Sequence, residues 1–128
     1  MKYAVDKQES YTLLQLDEAN LNTLIAPDLK SRLFIIQSEG AKNVIFDLSK
    51  VDYVDSSGLS AILTGHRLWK DSGAFVVTGV NSDSVKKLIE ISQLEPILNI
   101  VPTVDESVDF IKMDMLERDM KRAAGEEE

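Results

Sequence analysis

A chain of 128 residues with 14 basic and 22 acidic side chains, a formal charge of −8 and no cysteine has the size of one domain. It has no means of forming disulfides, zinc–thiolate centres, iron–sulfur clusters or a cysteine nucleophile. A single histidine, His66, leaves too few imidazoles for a multi-histidine metal site, and the acidic balance opposes both general nucleic-acid binding and attraction to an anionic membrane.

In chain order, Tyr3–Gln8 and Tyr11–Leu16 read as two strands, and Glu9-Ser10 between them is short enough for an antiparallel hairpin. Residues 17–22 are polar turn material. A helix is predicted from about Leu24 to Glu39, with Ile25, Leu29, Leu33 and Ile36 at near-helical spacing. Pro27 fits in its first turn and Gly40 at its stop. Val44–Leu48 is a compact apolar run, read as a buried strand. Ser49–Asp55 connects it to a helix from Ser56 to about Asp71, and Ala74–Val80 is the next strand. Asn81-Ser82-Asp83 offers N-cap chemistry for a helix carrying Val85, Leu88 and Ile89. Leu98–Val101 is a last strand, and Pro102-Thr103 leads into a helix with Val104, Val108, Ile111 and Met115 on one side.

That order is strand-strand-helix, then three strand-helix pairs. Such units imply parallel strands with right-handed crossovers. The expected fold is α/β: a mixed sheet of four or five strands opened by a hairpin, with about four helices packed on it. One domain spans 1–117, and residues 118–128 form a charged tail expected to fray. No run of about 18 apolar residues is present to cross a bilayer. The start, Met1-Lys2-Tyr3-Ala4-Val5-Asp6, is charged where a signal peptide has its apolar core. Both predict a cytoplasmic protein.

The chemistry concentrates in Val44–Leu63, where Asp55-Ser56-Ser57-Gly58 joins an apolar stretch to an apolar helix. Side-chain oxygens there can cap the orphan N–H groups of the first turn, and the helix dipole adds partial positive charge. Gly58, lacking a side chain, leaves room for a partner or nucleotide to approach the backbone. By themselves these residues fit plain N-capping and a phosphoacceptor site alike.

The segment resembles the signature of the STAS domain, the family of sulfate-transporter tails and anti-sigma factor antagonists. That signature is an apolar strand ending in Asp, a short loop, then D-S-S-G-L opening a helix. Val44-Ile45-Phe46-Asp47-Leu48 and Asp55-Ser56-Ser57-Gly58-Leu59 match it. In antagonists of the family the second serine is phosphorylated, which by position is Ser57. One departure stands out: the family's G-E-apolar-D loop is Asp17-Glu18-Ala19-Asn20 here. Asn20 can accept a hydrogen bond but carries no charge, and Asp17 in place of glycine implies a different partner surface.

The resemblance implies a partner switch. The unphosphorylated chain would bind an anti-sigma factor that is also a serine kinase, through Asn20, Asp55, Ser56, Ser57, Gly58 and Leu59. Phosphate on Ser57 would weaken the complex, and a serine phosphatase would reset it. ATP and metal would belong to the partners, with no cofactor and no catalysis in this chain. The alternative is a non-switching STAS accessory or scaffold module of a transporter or stress complex. A phospho-accepting receiver is a fold-level rival through Asp47, but receivers open with a strand-helix unit and this chain opens with a hairpin. No G-x-S-x-G, G-x-x-x-x-G-K-[ST] or G-x-G-x-x-G occurs. His66, nine positions from Ser57, lies about 13 Å away along a helix.

Overall fold

The computed structural model describes residues 1–125; the end of the acidic run Gly125-Glu126-Glu127-Glu128 lies outside them. The elements are β1 (Tyr3–Lys7), β2 (Thr12–Leu16), β3 (Asn20–Leu21), α1 (Ala26–Ser38), β4 (Asn43–Asp47), β5 (Tyr53–Val54), α2 (Ser56–Trp69), β6 (Ala74–Thr78), α3 (Asp83–Ile91), β7 (Asn99–Val101) and α4 (Val104–Ala123). A five-stranded sheet runs β1-β2-β4-β6-β7. Only β1 is antiparallel to its neighbour, Tyr3 lying opposite Leu16 and Lys7 opposite Thr12. The pairs β2–β4, β4–β6 and β6–β7 are parallel. The expected α/β architecture is therefore the one observed, in its five-stranded form.

Strand alternation explains the layering. Leu14, Leu16, Val44, Phe46, Phe75 and Val77 share one core with residues of α1, α2 and α3. The alternate positions Ile45, Ala74 and Val76 meet Ile111 of α4 on the other face. The central strands β4 and β6 are buried along their whole length, as parallel strands covered on both faces are. Trp69 is fully buried at the end of α2. Its ring stacks on Phe75 at 5.8 Å, and its Nε1–H donates to the Ala41 carbonyl at 2.8 Å.

Helix ends follow local chemistry. Ser82 and Thr103 cap α3 and α4, and Gly40, at φ +93°, closes α1. Two differences from the sequence reading stand out. The polar turn at 17–22 and the connection 49–55 each contain a two-residue strand, and these pair in parallel as a separate ribbon, Asn20 opposite Tyr53 and Leu21 opposite Val54. The apolar spacing of α4 ends near Glu117, yet the helix continues to Ala123. The tether is Arg118, which donates to the Gly73 carbonyl at 2.8 Å and pairs with Asp114 at 2.9 Å.

Candidate functional site

The serine turn sits beyond the carboxyl end of β4, where β5 feeds into α2. Asp55 is the N-cap in extended conformation, and its Oδ1 accepts the Gly58 N–H at 2.9 Å. Ser56 and Ser57 open the helix, Ser56 exposed and Ser57 half-buried. The backbone is fixed from the other side by the ribbon: the N–H groups of Asp52 and Tyr53 donate to the Ala19 carbonyl, and that of Asp55 to the Leu21 carbonyl.

The other oxygen of Asp55 holds a residue absent from the sequence reading. Asp55 Oδ2 accepts the Thr23 N–H at 3.2 Å and the Thr23 hydroxyl at 3.3 Å. The same hydroxyl lies 3.1 Å from Ser57 Oγ. These contacts hold the Asp55 carboxyl below the usual carboxylate range, the Gly58 N–H foremost; partial burial opposes the effect, and Thr23 and the Ser57 N–H reinforce it. Asp55 is thus a fixed anion and acceptor.

The six residues expected at a partner surface divide. Asn20 and Ser56 are exposed and Asp55 and Ser57 half-exposed, all on the ribbon or the turn. Asn20 lies in the ladder opposite Tyr53; the residue of its loop that reaches the serine is Thr23. Gly58 and Leu59 are buried, so their side chains present nothing to a partner. The reason for glycine is internal. A Cβ at Gly58 would run into the Leu21 carbonyl oxygen and lie 2.7 Å from Leu21 Cγ and 2.9 Å from Val54 Cγ1. The close approach that Gly58 permits is that of the ribbon, which corrects the reading of an open backbone.

Beside the turn is a shallow hollow of about 310 Å³ lined by Thr23, Pro27, Lys30, Ser56, Ser57 and Ser60. Lys30, from α1, donates to Ser60 Oγ at 3.2 Å and supplies the cation there. A slightly larger hollow, about 350 Å³, lies at the opposite end of the sheet. Its Asn43 is already committed to the Ser10 carbonyl and the Ala74 N–H.

The rival chemistries do not assemble. His66 is half-buried, nine residues along the same helix as Ser57, about 13 Å of helical rise. Burial, then the charges of Lys70 and Arg67, push its pKa down. Asp47 is 4% exposed; it accepts the Ser49 N–H and the Gln15 amide, each at 2.9 Å, and so holds the loop after β4. Among the described residues, no three His, Asp or Glu side chains are grouped to hold a metal, and no helix is long and apolar enough to cross a membrane.

A family profile described as "STAS domain" matches residues 2–107. The fold is similar to that of an anti-sigma factor antagonist from Mycobacterium paratuberculosis, with TM-score 0.79, 16% identity and coverage of 87% of this chain and 93% of that one. The Bacillus cell fate determinant SpoIIAA in its phosphorylated form gives TM-score 0.65 and 18% identity, over 86% of this chain and 99% of that one. A sulfate transporter family protein from Wolinella succinogenes gives 0.69 and 17%, over 84% and 89%. At these identities the likeness to each structure is one of fold.

Proposed function

This chain belongs to the STAS domain family, and we propose that within it the protein works as an anti-sigma factor antagonist, a partner switch controlled by phosphorylation. With Ser57 unphosphorylated it binds an anti-sigma factor that is also a serine kinase. With Ser57 phosphorylated it lets go, and a serine phosphatase restores it. The observation that carries this reading is a half-exposed serine hydroxyl in the first turn of α2, within an intact Asp55-Ser56-Ser57-Gly58 motif.

In the phosphorylation step Ser57 Oγ forms a bond to the γ-phosphorus of ATP held by the kinase. The bond from that phosphorus to the bridging oxygen of ADP breaks, ADP leaves, and the serine proton passes to a base of the kinase. The phosphatase hydrolyses the ester with water. Nucleotide, metal and catalytic base all belong to the partners, so this chain contributes binding and an acceptor hydroxyl. The reading requires a cytoplasmic location, where ATP is available. The partner surface is formed by Asn20, Asp55, Ser56 and Ser57, with Gly58 and Leu59 supporting it from beneath.

The charge change is local and large. A phosphate adds about −1.5 to −2 charges at pH 7. At the N-terminus of α2 that charge is tolerated, so the domain stays folded. Across a desolvated interface, like-charge contact costs several kcal/mol. Phosphosite mapping by mass spectrometry of protein recovered from its native cells tests the assignment. Phosphate on Ser57, retained at that position in Ser56→Ala and lost in Ser57→Ala, is expected; phosphate on Ser56 contradicts it.

The similarity in fold to a sulfate transporter family protein supports a second reading, a STAS accessory module that binds through the same face without phosphate turnover. That reading predicts equal partner binding by the phosphorylated and unphosphorylated forms.

A further inference from the structure

We propose that Thr23 is the positioning residue that reads the state of Ser57 and passes it to the loop ahead of α1; this rests on Ser57 being the phosphoacceptor. Asp55 is ionised and can only accept. Thr23 has one hydroxyl proton, and the charge-assisted bond to Asp55 Oδ2 claims it. Toward Ser57 the Thr23 oxygen is then an acceptor, so Ser57 is the donor across the 3.1 Å contact. The unphosphorylated turn holds a directed chain, from Ser57 O–H to Thr23 O–H to the Asp55 carboxylate.

Phosphorylation removes the proton that starts this chain. The Ser57 oxygen becomes an ester oxygen with nothing to donate, and the attached oxygens are acceptors. Thr23 is left with one proton between two anions, the phosphate and Asp55. If it turns to the phosphate, Asp55 loses it. If it stays, the contact with Ser57 has no hydrogen. Either way the Thr23 hydroxyl no longer joins Ser57 to Asp55, and the 3.2 Å backbone tie of Thr23 to Asp55, which involves no atom of Ser57, is left to hold the residue with less support.

The surroundings confine the effect. The bonds from Asp52, Tyr53 and Asp55 to the Ala19 and Leu21 carbonyls involve no atom of Ser57, so the ribbon stays closed. On the far side, the Asn22 carbonyl holds the Ile25 and Ala26 N–H groups at the start of α1. The stretch whose support is thinned is Thr23 and Leu24. Leu24 is 87% exposed, and its N–H rests on the Asn22 side chain at 3.0 Å. The phosphate therefore changes the shape of the surface beside Ser57 as well as its charge.

The test is amide hydrogen exchange on the full chain, with phosphoserine built in at position 57 during translation so that no kinase is needed. Wild type, Thr23→Val and Thr23→Ser are each compared with and without the phosphate. In wild type and Thr23→Ser, phosphoserine is expected to speed exchange of the residue-23 amide by about tenfold or more, while the Tyr53 and Asp55 amides hold within about twofold. In Thr23→Val that amide is already fast, and phosphoserine changes it by less than about twofold. Phosphoserine without effect on the wild-type amide overturns the proposal whatever the variants do. An equal rise in Thr23→Val and wild type overturns it too, because the hydroxyl would then carry no signal. Failure of the switch reading shows separately, as absence of phosphate from Ser57 in native cells.

Discussion

Single side chains at the serine turn have separable duties. Ser57→Ala gives up one exposed hydrogen bond to Thr23, a loss of about 1 kcal/mol at most, and should remain folded while refusing phosphate. Asp55→Ala removes the cap of α2 together with the anchor of Thr23, and should lower the midpoint of urea titrations. Gly58→Ala is the sharper case. Its new methyl meets the Leu21 carbonyl and Val54, so about 1–3 kcal/mol of destabilisation is expected. A stable Gly58→Ala protein would show that the glycine serves something other than ribbon packing. Two groups with displaced pKa values contribute to the acid limb of stability. The His66 pKa is pushed below its unfolded value by burial, then by Lys70 and Arg67, so the fold favours its neutral form. That contribution is complete above about pH 6.5 and is lost as pH falls through the folded value. The Asp55 pKa is lowered mainly by the Gly58 N–H. Its contribution is complete above about 3.9 and is lost on further acidification. Urea midpoints followed from pH 8 to pH 3 should therefore fall in two stages, the first absent in His66→Gln and the second reduced in Asp55→Asn.

Elements are locked to each other by a few buried polar side chains. Asn43, 4% exposed at the start of β4, donates to the Ser10 carbonyl in the hairpin turn and accepts the Ala74 N–H at the start of β6, each at 2.9 Å. Asn43→Ala strands both backbone groups and should cost about 2–6 kcal/mol, at about 1–3 each. Arg118→Ala should leave the sheet intact and speed amide exchange in α4 after Asp114, because the carbonyls of Lys70, Asp71 and Gly73 lose the guanidinium that holds the helix. The five sheet strands and four helices were legible in the sequence through apolar patterning and caps: alternation in β2, unbroken apolar runs in β4 and β6, near-helical spacing in α1 and N-cap residues ahead of α3. The ribbon was not, since two residues carry no period. Thr23 escaped for a related reason: its partners lie 32 and 34 positions away, and nothing local marks a threonine that a distant aspartate will hold. Gly58 stood out as a glycine, but its neighbour Leu21 is known only once the ribbon closes. The motif around Ser57 was legible because capping chemistry and the family signature fall on the same residues.

The whole molecule is a sheet covered by α1, α2 and α3 on one face and by α4 on the other, with the serine turn exposed at the edge of this rigid frame. Ser57 opens a helix whose buried side is packed through Leu59, Ala61, Ile62 and Trp69. A phosphate there therefore has no core to disturb, and its effect falls on the surface and on whatever binds it. A partner recovered from native cells with unphosphorylated protein as bait should be titrated against the chain with serine and with phosphoserine at position 57. Phosphoserine is expected to weaken binding about 100-fold, the equivalent of about 3 kcal/mol, while the domain remains folded. Equal affinity for the two forms would contradict the switch and leave a STAS module that binds without regard to phosphate.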